Sequence, residues 1–147
     1  MSSFRQVDHS LRHLNLWKQQ LGRVPAYLNV SENTFAVLPT LIGGLTGLVE
    51  LRASDNPLTS LPESIGSLTN LRELHLRNAQ LVALPQSIGQ LQSLRQLDLR
   101  GNPLASLPSG LLDLPRIEKL DLRWVTTLAM PAADVARLES RGCLVYK

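Results

Sequence analysis

The sequence predicts an α/β solenoid, a stack of similar small units in which short strands alternate with short helical turns. Leucine dominates the composition: 32 of the 147 residues are Leu, against two each of Phe, Tyr and Trp. A core built almost wholly from one residue type indicates many equivalent layers rather than one irregular core. The chain also aligns with itself at a period of 23 residues, which is the regularity that such a stack requires.

Three consecutive units carry this period most clearly, beginning at Leu48, Leu71 and Leu94. The middle unit shows the whole pattern, which consists of Leu71, Leu74, Leu76, Ala79, Leu81, Leu84, Pro85, Ile88, Gly89 and Leu91. A weaker unit begins at Pro25, and a later one begins at Ile117 and drifts by one residue. We therefore predict one domain over residues 1–147, with a segment at 1–24, repeats at 25–47, 48–70, 71–93, 94–116 and 117–139, and a C-terminal cap at 131–147.

Each unit predicts a strand, a turn and a helical turn, in that order. In Leu74-His75-Leu76, apolar and polar residues alternate, so the two leucines point inward and His75 points outward. Pro85 cannot continue a strand ladder and starts a turn. Ile88 and Leu91 are three residues apart, the spacing of one helical turn that faces the same core. One unit alone cannot bury these groups, so neighbouring units must stack.

The stretch LxxLxLxxNxLxxLPxxIGxLxx recurs over residues 25–139 and resembles the leucine-rich repeat, in the 23-residue form of intracellular Ras-group-type proteins and many bacterial repeat proteins. The resemblance implies a curved solenoid, with short parallel strands inside the curve and helical or 3₁₀ turns outside. It predicts strands centred on residues 28–30, 51–53, 74–76, 97–99 and 120–122. It also implies that Asn33, Asn56 and Asn102 bind the backbone between repeats. Ala79 interrupts that column, and three outcomes remain open: Asn78 replaces the missing amide, a water molecule replaces it, or neither does.

The two ends depart from the repeat, as terminal units of a stack are expected to. At the C-terminus, Pro131 and the helix-forming stretch 132–141 predict a capping helix that ends at Gly142. At the N-terminus two interpretations remain open. Residues 1–24 form either an amphipathic capping helix or a shortened repeat that bears a strand.

The composition and the lack of targeting signals argue against a membrane-spanning protein, a protein with a cleaved secretory signal and a disulfide-rich protein. No apolar run approaches the 18 residues of a membrane span, and the N-terminus lacks the apolar region of a secretory signal. The single cysteine, Cys143, excludes an internal disulfide framework. These features predict a cytoplasmic monomer without a membrane partner, or delivery by a route that needs no cleaved signal. The net charge is +3 with interspersed signs, which argues against a nucleic-acid partner.

No group of residues in the sequence predicts catalysis, a cofactor or a metal. His9 and His13 are four residues apart, but no third ligand stands near them in the sequence and no HExxH motif is present. Cys143 has no neighbouring histidine and is interpreted as a small buried thiol. We therefore predict a protein without enzymatic activity.

The strand face that points outward holds the candidate binding residues. Equivalent positions form rows across the sheet, about 4.8 Å apart. Arginine and tryptophan are residue types that carry interface energy, although Trp124 is better explained as a cover for the edge of the last layer than as a contact. In the arginine row, Arg77 has the fewest acidic neighbours, so we expect an acidic group of a partner near it. The predicted partner-binding residues are Arg52, His75, Arg77, Asp98, Arg100, Asp121, Arg123 and Trp124.

The sequence thus predicts a non-enzymatic module that docks a partner protein on its concave strand face. This expectation about docking comes from the family resemblance. Two alternatives remain open: a bacterial effector that acts on host proteins, and the recognition arm of a larger enzyme such as a kinase or a ubiquitin ligase.

Overall fold

A computed structural model describes residues 26–147, and in this range six short strands form one parallel sheet in chain order. Their central residues pair in succession from Leu28 to Val145. The register advances by 23 residues at each step as far as Leu120, and by 25 residues from Leu120 to Val145. The strands are β1 (Tyr27–Asn29), β2 (Glu50–Arg52), β3 (Glu73–His75), β4 (Gln96–Asp98), β5 (Lys119–Asp121) and β6 (Leu144–Tyr146).

The predicted parallel sheet is confirmed, with each of the first five strands beginning one residue earlier than predicted. The residue before the first strand leucine already belongs to the ladder, because the Glu73 amide donates to the Val49 carbonyl at 3.1 Å. The ladder also continues past the strand end, since the Leu76 amide donates to the Asp98 carbonyl at 2.9 Å. Both strand leucines of a repeat are therefore held by the neighbouring repeat.

The opposite side of the stack consists of short helices, one for each repeat. Three are 3₁₀ helices, at Thr40–Gly44, Glu63–Ser67 and Gln86–Gln90, and the fourth is the α-helix α1 (Ser109–Leu112). Each begins directly after a proline, which has the φ that a helix start requires. Neighbouring helices approach closely here: a Cβ on Gly89 would lie 2.9 Å from the Gly110 Cα.

The C-terminal cap contains a helix and an additional strand. Helix α2 (Ala132–Glu139) lies within the predicted stretch 132–141, and it buries Val135 and Leu138 against the last layer. Gly142 then reverses the chain at a φ of +87°. The following residues were expected only to seal the cap. They form β6 instead, because this unit is two residues longer than the others and brings the chain back beside β5.

One hydrophobic cluster runs through the whole stack and consists mainly of leucine. Leu74, Leu76 and Leu97 are at most 1% exposed, and Leu84 is 6% exposed. Their predicted burial is confirmed. Every repeat contributes the same inward positions, so the core is a column of equivalent layers.

Buried asparagines link neighbouring repeats, as the resemblance implies. The Asn56 side-chain amide donates to the carbonyls of Val30 and Ala53, and its Oδ1 accepts from the Phe35 amide. Asn102 makes the equivalent bonds two repeats later along the chain. The prediction that Asn78 replaces the missing side chain at Ala79 is wrong. The Asn78 amide points outward and donates to Asp55 Oδ1 at 2.9 Å.

The two interpretations of residues 1–24, a capping helix or a shortened repeat, concern a part of the chain outside the described residues. Within residues 26–147, no helix has the length and apolar character needed to cross a membrane.

Candidate functional site

The outward strand face, which we call the concave face after the curvature that the resemblance implies, carries polar side chains in rows. The strand register places Arg52, His75, Asp98 and Asp121 beside one another on four adjacent strands. The arginines two residues further on, Arg77, Arg100 and Arg123, follow the last three of these strands. Sequence spacing and sheet register therefore bring the predicted residues to one surface. The arginine side chains on this surface differ in how many hydrogen bonds and ion pairs fix them.

Arg100 and Arg123 are held by two-pronged pairs with the aspartate two residues before them. Arg100 donates to Asp98 from Nε at 2.8 Å and from Nη2 at 2.5 Å. Arg123 donates to Asp121 in the same way, at 2.9 Å and 2.7 Å. Both guanidiniums are thus oriented within the protein, because paired N–H donors fit the two oxygens of a carboxylate.

Asp121 is a buried carboxylate that lies beneath Arg100 and Arg123 and interacts with both. Its side chain is only 3% exposed, and Arg100 Nε also lies 3.6 Å from Asp121 Oδ2. Burial favours the neutral acid, but the hydrogen bonds from Arg123 and the charges of Arg123 and Arg100 outweigh it, so the pKa of Asp121 is lowered. Among the predicted binding residues, Asp121 therefore orients two arginines and offers almost no surface of its own.

Arg77 is held less tightly than the other two arginines. It makes one ion pair, from Nη2 to Asp55 Oδ2 at 3.1 Å, and its side chain is 42% exposed. Its ion-pair partner, Asp55, lies one repeat earlier and was not among the predicted site residues. The hydrogen bond from Asn78 and the pairing with Arg77 lower the pKa of Asp55 despite its partial burial.

A column of left-handed residues explains how Asp55 reaches Arg77. The residue that follows the outward serine or arginine has a positive φ in every described repeat, at Glu32, Asp55, Asn78, Gly101 and Trp124. In Asp55 this conformation places the side chain within reach of Arg77 in the next repeat, whereas the Asn78 amide donates back to Asp55 in the preceding repeat. Of these residue types, only the glycine at position 101 adopts the left-handed conformation freely. The sequence identified these positions only as another exposed row of the sheet.

The C-terminal end of the face is aromatic and basic. Trp124 is 67% exposed, so most of its ring is not covering the last layer. The Arg123 guanidinium lies 5.7 Å from the centre of the Trp124 ring and 5.5 Å from that of Tyr146. Lys119 Nζ lies 5.1 Å from the Tyr146 ring centre. Sequence reasoning missed Tyr146 because it did not predict β6.

A shallow depression of about 230 Å³ lies in the N-terminal half of the face. Its lining is polar and mixed in charge, and it includes the exposed parts of Arg52 and Arg77. Five of the eight predicted residues line it, namely Arg52, His75, Arg77, Asp98 and Arg100. Arg123 and Trp124 lie outside it, toward β6.

A histidine and two glutamates lie together at one side of this depression. His75 Nε2 lies 3.2 Å from Glu73 Oε2 and 3.8 Å from Glu50 Oε1. Within residues 26–147 they are the one group of three or more His, Cys, Asp or Glu side chains whose ligand atoms come close enough for a metal ion. Neither glutamate was among the predicted site residues, although the 23-residue spacing places Glu50 beside Glu73 on adjacent strands.

Solved structures with this fold include several bacterial proteins. A leucine-rich repeat protein of Leptospira interrogans is 33% identical, with a TM-score of 0.73 over 83% of this chain and 31% of its own. The leucine-rich repeat domain of the type III effector XopL is 29% identical, with a TM-score of 0.54 over 71% of this chain and 46% of its own. The functional domain of InlJ from Listeria monocytogenes is 20% identical, with a TM-score of 0.64 over 76% and 23%. This chain therefore spans less than half of each of these chains.

Sequence comparison gives the family. A search of curated proteins finds no significant match. The family model described as "Leucine-rich repeat region" matches residues 64–141, and the model described as "Leucine Rich Repeat" matches residues 47–68. The first match covers more than half of the chain and includes β3 to β5, α1 and α2. With the parallel sheet, the repeated leucine core and the asparagine links, these matches show that the chain belongs to the leucine-rich repeat family.

Proposed function

We propose that this protein is a non-enzymatic binding module that docks an acidic segment of a partner protein on its concave face. The leucine-rich repeat fold supports a role in protein interaction. Our proposal adds the docking face, the chemistry of the partner and the residues that contact it. It also takes the protein to act as a cytoplasmic monomer, without a nucleic-acid or membrane partner.

The observation that carries the proposal is the unequal pairing of the arginines. Arg100 and Arg123 each donate two hydrogen bonds to an aspartate. Arg77 makes one ion pair, and Arg52 makes one ion pair through Nε and lies 5.8 Å from the centre of the Tyr27 ring. Arg52 and Arg77 are 47% and 42% exposed and line the same depression. Arg77 Nε is buried without a hydrogen-bond partner among the described residues, so the Nη groups of the two arginines are the ones that suit a carboxylate of a partner.

The aromatic end of the face supports the same function. Trp124 and Tyr146 expose ring surface beside the Arg123 guanidinium. Trp, Tyr and Arg are the residue types in which the binding energy of protein interfaces concentrates. We therefore expect a partner long enough to place acidic groups in the depression and an apolar side chain against Trp124.

A second candidate function is that of a bacterial effector that acts on host proteins. It is favoured by the structural similarity to the repeat domain of XopL, which is described as a type III effector. A recognition arm of a larger enzyme, such as a kinase or ubiquitin ligase, uses the same docking face. A secretion assay in the source organism separates the effector from a protein that stays in the cytoplasm.

The test compares partner capture by the wild-type protein and by Arg52→Gln with Arg77→Gln. A lysate of the cells that make this protein is passed over each immobilised form, and the bound proteins are quantified by mass spectrometry. We expect the partner captured by the wild type to be lost from the double variant. Arg100 is left unchanged, because its pairing with Asp98 and Asp121 makes it a structural element.

The matched control is Arg72→Gln with Arg116→Gln. These two exposed arginines do not line the depression, so the control removes the same charge elsewhere. Both double variants should keep the melting temperature of the wild type. Equal capture by all three forms would show that the partner uses another surface.

A further inference from the structure

Glu50, Glu73 and His75 occupy neighbouring positions on two adjacent strands. Glu50 pairs with Glu73 in the register of β2 and β3, and His75 is two residues beyond Glu73 on the same face. The three ligand atoms, one from each residue, all lie within 4.8 Å of one another. Their side chains are between 21% and 36% exposed, so the group is accessible from solvent.

The distances in this group suit a first-row metal ion. Zinc binds imidazole nitrogen and carboxylate oxygen at about 2.0–2.2 Å, so tetrahedral ligands lie about 3.4 Å from each other. His75 Nε2 lies 3.2 Å from Glu73 Oε2 and 3.8 Å from Glu50 Oε1, on either side of that value. The Glu50 and Glu73 oxygens lie within 4.8 Å of each other, so the side chains must rotate to bring all three ligand atoms around one ion. The combination of imidazole and carboxylate ligands also favours zinc over calcium or magnesium.

The charges around the group also favour a cation. Two glutamates directly opposite each other on adjacent strands repel, which destabilises a strand pair. Arg52 offsets Glu50, with its Nε 2.5 Å from Glu50 Oε1. The ion pairs of Glu73 within residues 26–147 involve only His75, which carries a charge only when it is protonated. With neutral His75, these four side chains have a net charge of −1, which a divalent cation reverses.

We propose that Glu50, Glu73 and His75 form a zinc site on the concave face, with one Glu50 oxygen, one Glu73 oxygen and His75 Nε2 as ligands. Three protein ligands leave one tetrahedral position, which water or a carboxylate of another molecule fills. Zinc and Arg52 compete for Glu50, so binding displaces the Arg52 guanidinium from that carboxylate. This inference does not depend on the docking function.

The test is calorimetric titration of the full, untagged chain with ZnCl₂, together with visible absorption spectra recorded with CoCl₂. We expect one zinc per chain and the absorption of four-coordinate Co²⁺. His75→Ala and Glu73→Gln should each weaken zinc binding at least about tenfold, since even residues that only support a ligand contribute that much. Thermal melts of the two variants show whether each one is folded, so that a lost ligand is distinguished from a folding defect.

Two further variants make the result specific. His9→Ala with His13→Ala removes the other two histidines and should leave the affinity unchanged, whereas loss of binding there would assign the ion to the N-terminal segment. Arg52→Met removes the competitor for Glu50 and should tighten binding. The proposal is overturned if the wild type shows no saturable site, or if His75→Ala and Glu73→Gln bind zinc as the wild type does.

Discussion

At the scale of single residues, backbone conformation decides several contacts of the concave face. The left-handed column places Asp55 where Arg77 and Asn78 can both bind it. In this conformation the Cβ of an ordinary L-residue is crowded, at a cost of roughly 1–2 kcal/mol. Most repeats carry that cost, whereas Gly101 avoids it. The glycine is therefore the most informative position of the column.

We predict that Gly101→Ala lowers the free energy of unfolding by about 1–2 kcal/mol for the left-handed backbone, and by more in total because the new Cβ also meets Asn78. The φ of Gly101 is +68°, and a new Cβ would lie 2.5 Å from Asn78 Oδ1, so the Asn78 side chain must move. Urea unfolding measures the change. In an Asn78→Ala background the steric part disappears, and the cost should fall to that of the backbone alone. Equal stability of wild type and Gly101→Ala would contradict the left-handed conformation.

The interrupted asparagine column gives a second residue-scale prediction. Phe35 donates its amide to Asn56, but the equivalent amide one repeat later, on fully buried Leu58, has no acceptor within residues 26–147. Ala79→Asn supplies that acceptor and should raise the free energy of unfolding by ~0.5–1.5 kcal/mol, the usual net contribution of one hydrogen bond. Denaturant melts test it, with Ala83→Asn at an exposed position as the control. A loss of stability at residue 79 would show that the local packing has adapted to alanine.

At the scale of the elements, β4 and β5 are joined on the outward side by alternating charges. Asp98 and Asp121 face each other across the two strands, and like charges in that position repel. Arg100 offsets this repulsion, because it binds Asp98 and also lies near Asp121. The outward face therefore contributes to strand pairing only while these carboxylates are ionised.

This arrangement predicts acid sensitivity. The pKa of Asp121 is lowered from its ordinary value of 3.8, so the unfolded chain takes up the proton first as the pH falls. The stabilisation is complete above about pH 4 and is lost as the pH drops through the folded-state pKa. At pH 7, Asp121→Asn should melt at a lower temperature than the wild type, and this difference should shrink below pH 4. The exposed control Asp113→Asn should show no such convergence; a constant gap at Asp121 would disprove the coupling.

At the scale of the whole molecule, stability comes from stacking equivalent layers. Each repeat contacts its neighbours, and the leucine cluster is continuous from Leu28 to Leu138. A defect in a middle layer weakens both interfaces of that layer, whereas a defect at an exposed position affects neither. Leu76 lies in the third strand-bearing repeat and is fully buried.

We expect Leu76→Ala to cost ~2–5 kcal/mol, through lost transfer free energy and the cavity it leaves. Domains of this kind are typically stable by ~5–15 kcal/mol, so this single change threatens the fold of the entire array. Urea unfolding followed by circular dichroism gives the value. The control is Leu41→Ala, because Leu41 is 58% exposed. Equal urea midpoints for Leu76→Ala and Leu41→Ala would show that Leu76 does not contribute to the stability of the core.

The sequence by itself determined the features that depend on spacing within one repeat. The alternation at Leu74–Leu76 predicted a strand, and Pro85 with Ile88 predicted a turn and a helical segment. The stretch after Pro131 predicted the capping helix, and the family resemblance supplied the parallel arrangement. Local periodicity carries this information because it sets which side chains point toward the core, whatever the neighbouring repeat contributes.

Apart from the asparagine links that the family resemblance implies, only the tertiary structure decided which side chains of neighbouring repeats pair. The pairing of Arg77 with Asp55, the group formed by Glu50, Glu73 and His75, and the strand β6 all join residues about 23 residues apart. Their geometry depends on strand register and on left-handed backbone turns, which residue types such as Asp and Trp do not reveal. A row of polar residues in the sequence therefore identifies the exposed face, while the pairing of strands selects which side chains on it remain free to bind.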